Sequence, residues 1–224
     1  DRMLADFFRF LDREVGLDHV VVALTADHGF MPIPEWSAEL GLDAGRVDPE
    51  KMIQALNDAL SAKFGKEDWV EAWWNPTIYL NQEAIRKHGL NPGEVEKAAG
   101  DFLLTYPGIA EYVTRTQILN GQVPDTLLAK RVVKAFHRER SGDVVVIQKP
   151  LWYLFGKPFA YGSTHGSPYA YDTHVPVILM GKPFKPGRYA TPIDVADIAP
   201  TLSHILGISA PNLSDGRVLH EALR

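Results

Sequence analysis

One short apolar run with a polar end constrains the fold of this chain more than any other stretch. Residues 20–24 read VVVAL, which is typical of a strand buried on both faces, as in a parallel sheet. The run then changes into the polar segment TADHG at residues 25–29. Open α/β sheets bind ligands at the carboxyl ends of their strands, so Asp27 and His28 are a candidate metal-binding or catalytic pair. The alternative is a loop in which Asp27 caps a turn and His28 lies on the surface.

Composition limits the classes of protein and of site that need to be considered. The chain has 224 residues, of which 46% are hydrophobic, enough for a substantial core. A net charge of -5 gives no electrostatic footprint for nucleic acid, so we expect no nucleic-acid binding. No apolar segment approaches the roughly 20 residues that span a bilayer, so we expect no membrane span. The sequence has no cysteine, so any metal site must use histidine and carboxylate ligands.

The order of the predicted elements indicates an α/β fold interrupted by a smaller subdomain. A helical pattern precedes the first apolar run, and a second run, VPVILM at 175–180, predicts another buried core strand. Short strands and helices lie between these runs. We therefore predict an α/β core formed by residues 1–35 and 141–224, with residues 36–140 inserted as a small α+β subdomain.

Two local signals predict elements within that subdomain. Asp48 followed by Pro49 predicts the start of a helix, because an aspartate caps the first turn and proline suits its first position. The segments WVEAWW and TIYL, on either side of Asn75 and Pro76, predict a hairpin. The chain opens within a helical pattern, with neither an initiator methionine nor a signal peptide. We therefore expect it to be a piece of a longer protein.

A second ligand-rich segment, GSTHGSPYAYDTH at residues 162–174, precedes the second apolar run. It repeats the pattern of a histidine beside a glycine, here at His165. Asp27, His28 and His165 together offer the nitrogen and oxygen ligands that suit zinc. These residues are far apart in sequence, so spacing alone does not bring them together.

Four side chains near these motifs each have two interpretations. Thr164 is either a nucleophile or a residue that caps the backbone. Asp172 either orients a metal-binding histidine or caps the loop before the second strand. Arg138 and Arg140 either contact a phosphate or lie solvated beside a turn.

The ordered pair TADHG and THGSPYAYDTHVP closely resembles the alkaline phosphatase superfamily, in its type I phosphodiesterase/nucleotide pyrophosphatase branch. Within that branch it looks most like the bacterial phosphate-irrepressible alkaline phosphatases. PIDVADIAPTLSHILGI, at residues 192–208, is similar to the family's C-terminal helix. The resemblance covers both ends of the chain well and the middle weakly. It implies the C-terminal part of an alkaline-phosphatase-like sheet flanked by helices.

The resemblance also implies a site with two zinc ions, about 4 Å apart, that acts on a phosphate ester. Asp27 and His28 would bind one zinc ion and His165 the other. The family's remaining ligands include an Asp-x-x-x-His pair, and these ligands and a Thr or Ser nucleophile precede the Asp-His-Gly segment. No aspartate in this chain is followed four residues later by histidine. We therefore expect no catalytic nucleophile here, an incomplete metal site, and little or no activity of the chain alone.

Several functions remain open at this point. The resemblance implies a zinc-dependent phosphoester hydrolase, either an alkaline phosphatase or a type I phosphodiesterase. The bacterial members are usually exported, which implies a periplasmic or extracellular location. A non-catalytic metal-binding or interaction module is the alternative from another class, and a sulfatase or phosphomutase is the alternative within the superfamily. The choice between monoester and diester and the oligomeric state stay open.

Overall fold

The computed structural model of the protein describes residues 1–155 and 162–224, which form a mixed α/β structure. Its α-helices are α1 (Arg2–Glu14), α2 (Pro34–Glu39), α3 (Pro49–Phe64), α4 (Gln82–Lys87), α5 (Pro92–Leu103), α6 (Arg115–Leu119), α7 (Leu127–Ala135), α8 (Ala170–Thr173) and α9 (Ile198–Leu206). Its strands are β1 (Val22–Thr25), β2 (Gly45–Arg46), β3 (Val70–Trp74), β4 (Thr77–Leu80), β5 (Ile109–Thr114), β6 (Val144–Gln148), β7 (Trp152–Tyr153) and β8 (Val177–Met180). Within these residues, no helix is long and apolar enough to cross a membrane.

The chain divides into two compact units. Unit 1 contains Asp1–Asp27 and Val175–Arg224, and unit 2 contains His28–His174. The insertion of residues 36–140 into a larger core stays a prediction.

Unit 1 contains both apolar runs of the sequence, as strands β1 and β8. The two strands pair antiparallel, with Val22 opposite Met180 and Leu24 opposite Ile178. The prediction of strands buried on both faces in a parallel sheet is therefore wrong. Leu24 and Ile178 are 49% and 55% exposed, because among the described residues no third strand pairs with this two-stranded sheet and nothing covers that face.

Helix α1 forms where the sequence predicts it, but none of its residues is buried. Several of its apolar side chains are exposed, among them Leu4 at 49% and Phe7 at 51%, while Phe8 and Leu11 are half-buried. Unit 1 instead has a small core around Phe184, Leu219 and Ala222. An amphipathic pattern thus gave the helix correctly without showing what covers it.

Unit 2 is built on a four-stranded antiparallel sheet in the order β3-β4-β6-β5. The predicted hairpin is confirmed as β3 and β4. The predicted cap of α3 is also confirmed, since the carboxylate of Asp48 accepts hydrogen bonds from the backbone N–H groups of Glu50 and Lys51. Apolar side chains of α3 and α5 pack with those of the sheet in one hydrophobic cluster.

A short parallel pair of strands in unit 2, β2 and β7, positions Tyr153. Strands β2 and β7 pair Gly45 with Trp152 and Arg46 with Tyr153. Tyr153 is 1% exposed, and the Arg46 guanidinium lies 4.9 Å from the centre of its ring. The strand pairing and the burial of the ring therefore place the Tyr153 hydroxyl inside the unit.

Candidate functional site

The structure brings together two of the three residues that the sequence proposes as metal ligands. The imidazole rings of His28 and His165 stack with their centres 3.6 Å apart and their planes 12° from parallel. His28 is half-buried and His165 is exposed. Two segments that are distant in sequence thus present imidazoles side by side at one place in unit 2.

The hydrogen bond of His28 sets which ring nitrogen can bind a metal. The Nδ1 atom lies 2.6 Å from the backbone carbonyl oxygen of Gly29. A carbonyl oxygen only accepts, so Nδ1 carries the proton in this bond. In the neutral ring the lone pair is then on Nε2. Metal-binding histidines usually make this kind of bond, which fixes the tautomer and the orientation of the ring.

The segments that carry the two histidines are joined on one side by Met31, Thr164 and Tyr153. The Met31 N–H donates to the carbonyl of Thr164 over 2.9 Å. The Tyr153 hydroxyl donates to the Met31 carbonyl over 2.9 Å and accepts from the Thr164 N–H over 3.3 Å. Three hydrogen bonds therefore fix the strand-like contact between the residues that flank His28 and His165.

On the other side, Asp172 joins the same two segments through both its backbone and its side chain. Its backbone carbonyl accepts a hydrogen bond from the Gly29 N–H over 2.7 Å. Its carboxylate oxygen Oδ2 accepts from the Ser167 N–H, also over 2.7 Å. Asp172 is 3% exposed, and its other oxygen, Oδ1, is buried without a hydrogen-bond donor among the described residues.

Gly29 allows this contact because it has no side chain. A Cβ atom at Gly29 would lie 2.0 Å from the backbone oxygen of Tyr171, which is far inside van der Waals contact. The small residue beside His28 therefore admits the backbone of α8. The pattern of a histidine beside a glycine does not by itself reveal this role.

Burial controls the ionisation of the tyrosines around the two segments. Burial raises the pKa of Tyr153, and the hydrogen bond from the Thr164 N–H and the nearby Arg46 charge oppose that shift only in part. Burial also raises the pKa of Tyr169 to about 12. These hydroxyls are therefore protonated at neutral pH, which lets Tyr153 donate to Met31 and Tyr169 donate to the carbonyl of Gln148 over 2.7 Å.

The other candidate residues are placed as follows. Asp27 is exposed and is the last residue of the first segment of unit 1, directly before His28 in the chain. Thr164 takes part through its backbone groups, while its hydroxyl lies 3.5 Å from the neighbouring His165 carbonyl. Across residues 1–155 and 162–224, no group of three or more histidine, aspartate or glutamate side chains converges as a metal site.

Arg138 and Arg140 differ in their relation to a cavity of unit 2. Arg140 lines a cavity of about 660 Å³ in unit 2, together with Arg131 and His137, and no carboxylate lines the described part of this cavity. Arg138 is not among the residues that line it. Contact between Arg140 and a phosphate stays a prediction.

Sequence reasoning missed Tyr153 and the structural role of Gly29. The hydroxyl of Tyr153 is the bridge between the two histidine segments, yet its sequence context, PLWYLFG, carries no motif. For Gly29 the signal was present in the sequence, since a glycine directly follows the histidine. Its partner, the backbone of Tyr171, has no sequence signature.

Comparison with protein families gives one match that covers most of the chain. The family model described as Type I phosphodiesterase / nucleotide pyrophosphatase matches residues 1–168. This range includes all three candidate ligands.

Several curated relatives match along the whole chain. A protein named Calcium-transporting ATPase from Myroides odoratus is 34% identical over 223 residues, which covers 100% of this chain and 40% of the relative. Alkaline phosphatase PafA from Elizabethkingia meningoseptica is 30% identical over 226 residues, with the same two coverages of 100% and 40%. The chain thus spans 40% of the length of these curated relatives.

A solved structure confirms the mixed α/β fold. The crystal structure of wild-type alkaline phosphatase PafA superposes with a TM-score of 0.88 at 29% sequence identity. The superposition covers 100% of this chain and 42% of that one.

Proposed function

Because the chain belongs to the type I phosphodiesterase/nucleotide pyrophosphatase family, we propose that it is the C-terminal part of a zinc-dependent phosphoester hydrolase. In this proposal Asp27 and His28 bind one zinc ion and His165 binds the other. The observation that carries the proposal is the stacking of His28 on His165 at 3.6 Å. Asp27 comes to the proposal from the family resemblance and from its position next to His28.

The stacked arrangement suits two metal ions better than one. The lone pair of an imidazole nitrogen lies in the plane of its ring. Rings 12° from parallel therefore keep their lone pairs in two nearly parallel planes, which do not converge on one point. The ring centres are 3.6 Å apart, which is close enough for each ring to bind one ion of a two-metal site.

The bonding of the residues present also fits zinc. Imidazole and carboxylate are ordinary zinc ligands, and the bond from His28 Nδ1 to the Gly29 carbonyl presents the other nitrogen to the ion. When bound, zinc would stabilise the charge that develops on the phosphoryl oxygens and on the attacking and leaving oxygens. The chain's own contribution is to hold the imidazoles at a set spacing through Tyr153 and Asp172.

We also propose that the chain alone turns over phosphate esters slowly or not at all. The Asp-x-x-x-His pattern of the remaining metal ligands is absent from its residues, and the resemblance places the Thr or Ser nucleophile before the Asp-His-Gly segment. Three ligands shared between two ions leave each ion with fewer than the three protein ligands usual for catalytic zinc. The substrate class is a phosphate ester, and the resemblance to exported bacterial enzymes supports a periplasmic or extracellular location.

Zinc titration into the chain tests the metal ligands directly. We expect His28→Ala and His165→Ala each to lower the zinc bound at equilibrium, measured by calorimetry and by metal analysis after gel filtration. His137→Ala is the matched control, because His137 is an exposed histidine of the same unit outside the proposed site. Equal zinc binding by all three variants and the unchanged chain would contradict the assignment.

The catalytic part of the proposal needs the longer protein. There we expect either histidine variant to lower hydrolysis of p-nitrophenyl phosphate by about 10²–10⁴-fold, since a metal ion contributes several kcal/mol to the transition state. Full activity in both variants would refute the proposed reaction site. Rapid, zinc-dependent turnover by the 224-residue chain would refute its proposed inactivity.

A further inference from the structure

Asp172 is placed where one residue can control both histidine segments. Its backbone carbonyl accepts from the N–H of Gly29, next to His28, over 2.7 Å. Its carboxylate accepts from the N–H of Ser167, two residues after His165, also over 2.7 Å. The two bonds are made by different parts of the residue. A side chain without an acceptor therefore loses the second bond, while the carbonyl that makes the first bond is still present.

The remaining carboxylate oxygen provides a second, independent observation. Oδ1 of Asp172 is buried and accepts no hydrogen bond from any described residue, whereas Oδ2 is bonded to the Ser167 N–H. Burying a carboxylate oxygen without a donor is unfavourable by about 1–3 kcal/mol or more. An acceptor kept in that state is available to a donor that arrives with a ligand, such as the N–H of a metal-bound imidazole or a water molecule.

We propose that Asp172 is a positioning residue with two separable roles. Its hydrogen bond to the Ser167 N–H sets the stacking of His28 on His165. Its negative charge, through Oδ1, strengthens metal binding by the histidines, as carboxylates around metal sites often do. This inference rests on the proposed function for its second role, whereas the first role concerns the metal-free chain alone.

Two variants separate the roles. Asp172→Asn is close in shape and keeps an oxygen that can accept from Ser167, but it removes the charge. Asp172→Ala removes both the acceptor and the charge. Asp58→Asn is the matched control, because Asp58 is an exposed aspartate of unit 2 whose carboxylate bonds only to Gln54 among the described hydrogen bonds, over 3.1 Å.

The first readout is the proximity of the two rings in the metal-free chain. Nuclear Overhauser effects between the ring protons of His28 and His165 report it, with selectively labelled histidine and a chelator present. We expect these signals in the unchanged chain, in Asp172→Asn and in Asp58→Asn, and their loss in Asp172→Ala. Retention of the signals in Asp172→Ala would overturn the positioning role. The intact amide spectrum of the rest of unit 2 shows that each variant is folded.

The second readout is metal affinity. It is measured by the visible absorption of cobalt(II), which serves as a probe of the zinc ligands. We expect Asp172→Asn to weaken cobalt binding by about 10–100-fold, the effect usual for loss of an outer carboxylate, and Asp58→Asn to change it less than about twofold. Unchanged affinity in Asp172→Asn would overturn the charge role. If the unchanged chain binds no cobalt, the proposed function fails, and the ring signals still decide the positioning role.

Discussion

Replacing Gly29 with alanine should separate the two histidine segments. The new Cβ would lie 2.0 Å from the Tyr171 carbonyl oxygen, while ordinary contact begins at 3.4 Å, so the backbones must move apart by about 1.4 Å (3.4 − 2.0). The same movement stretches the bond of 2.7 Å from the Gly29 N–H to the Asp172 carbonyl to about 4 Å, beyond hydrogen-bonding range.

The size of the effect follows from these two changes. A hydrogen bond lost inside the unit leaves both partners unsatisfied, at about 1–3 kcal/mol. Forcing a methyl group into a closed contact adds about 1–3 kcal/mol. Gly29→Ala should therefore lower the free energy of unfolding by about 2–6 kcal/mol, which for a chain of this size lowers Tm by about 5–20 °C.

Urea denaturation and thermal unfolding, each followed by circular dichroism, measure this loss. Gly187→Ala is the matched control, because a Cβ there meets first the flexible side chain of Tyr189, at 3.3–3.4 Å. The same samples should lose the nuclear Overhauser effects between His28 and His165. A Gly29→Ala chain with unchanged Tm and an intact ring contact would refute the view that this glycine sets the distance between the segments.

Two further predictions concern buried groups of unit 2. Tyr153→Phe keeps the ring but removes the hydroxyl that bonds to Met31 and Thr164. The free energy of unfolding, measured in urea, should therefore fall by about 1–3 kcal/mol. A change below about 0.5 kcal/mol would show that these hydrogen bonds contribute little. Burial raises the pKa of Glu96, so the folded state keeps its proton to a higher pH than the unfolded state, and the free energy of unfolding falls as pH rises from about 4.3 through the raised pKa. Glu96→Gln cannot titrate, so its free energy of unfolding should fall less steeply between pH 4 and 8. Part of the fall should remain, because burial also raises the pKa of Asp143. An unchanged slope in Glu96→Gln would contradict burial of Glu96 as the cause.

Local signals predicted elements of unit 2 correctly, because the residues that define them are close in sequence. Asp48 caps α3 through hydrogen bonds to the next two or three residues, and the β3-β4 hairpin closes around Asn75 and Pro76. Such short-range interactions appear directly in the pattern of residue types. They need no information about the rest of the fold.

The two apolar strands of unit 1 show where a pattern stops being sufficient. A continuous apolar run indicates a strand that favours burial, but the burial itself depends on which other elements pack against that strand. Leu24 and Ile178 are about half exposed on the open face of the two-stranded β1-β8 sheet. Residue types therefore predicted the strands, while their direction and burial depended on partners that the run itself does not specify.

The candidate site divides in the same way. Residue types and family resemblance identified His28 and His165, but no spacing rule places them face to face. Most of the bonds that bring their segments together are made by backbone groups, which look alike at every position of a sequence. Only the side chains that bond to those backbone groups are distinctive in the sequence, and these are Tyr153 in strand β7 and Asp172 in helix α8.

This division has a consequence for which positions near the site tolerate change. Met31, Thr164 and Ser167 hold the histidines through N–H and carbonyl groups that most residue types provide. Gly29 and Asp172 contribute what few residue types can, namely an absent Cβ and a carboxylate that accepts from Ser167. Substitutions at the first set should therefore alter the ring stacking much less than substitutions at the second.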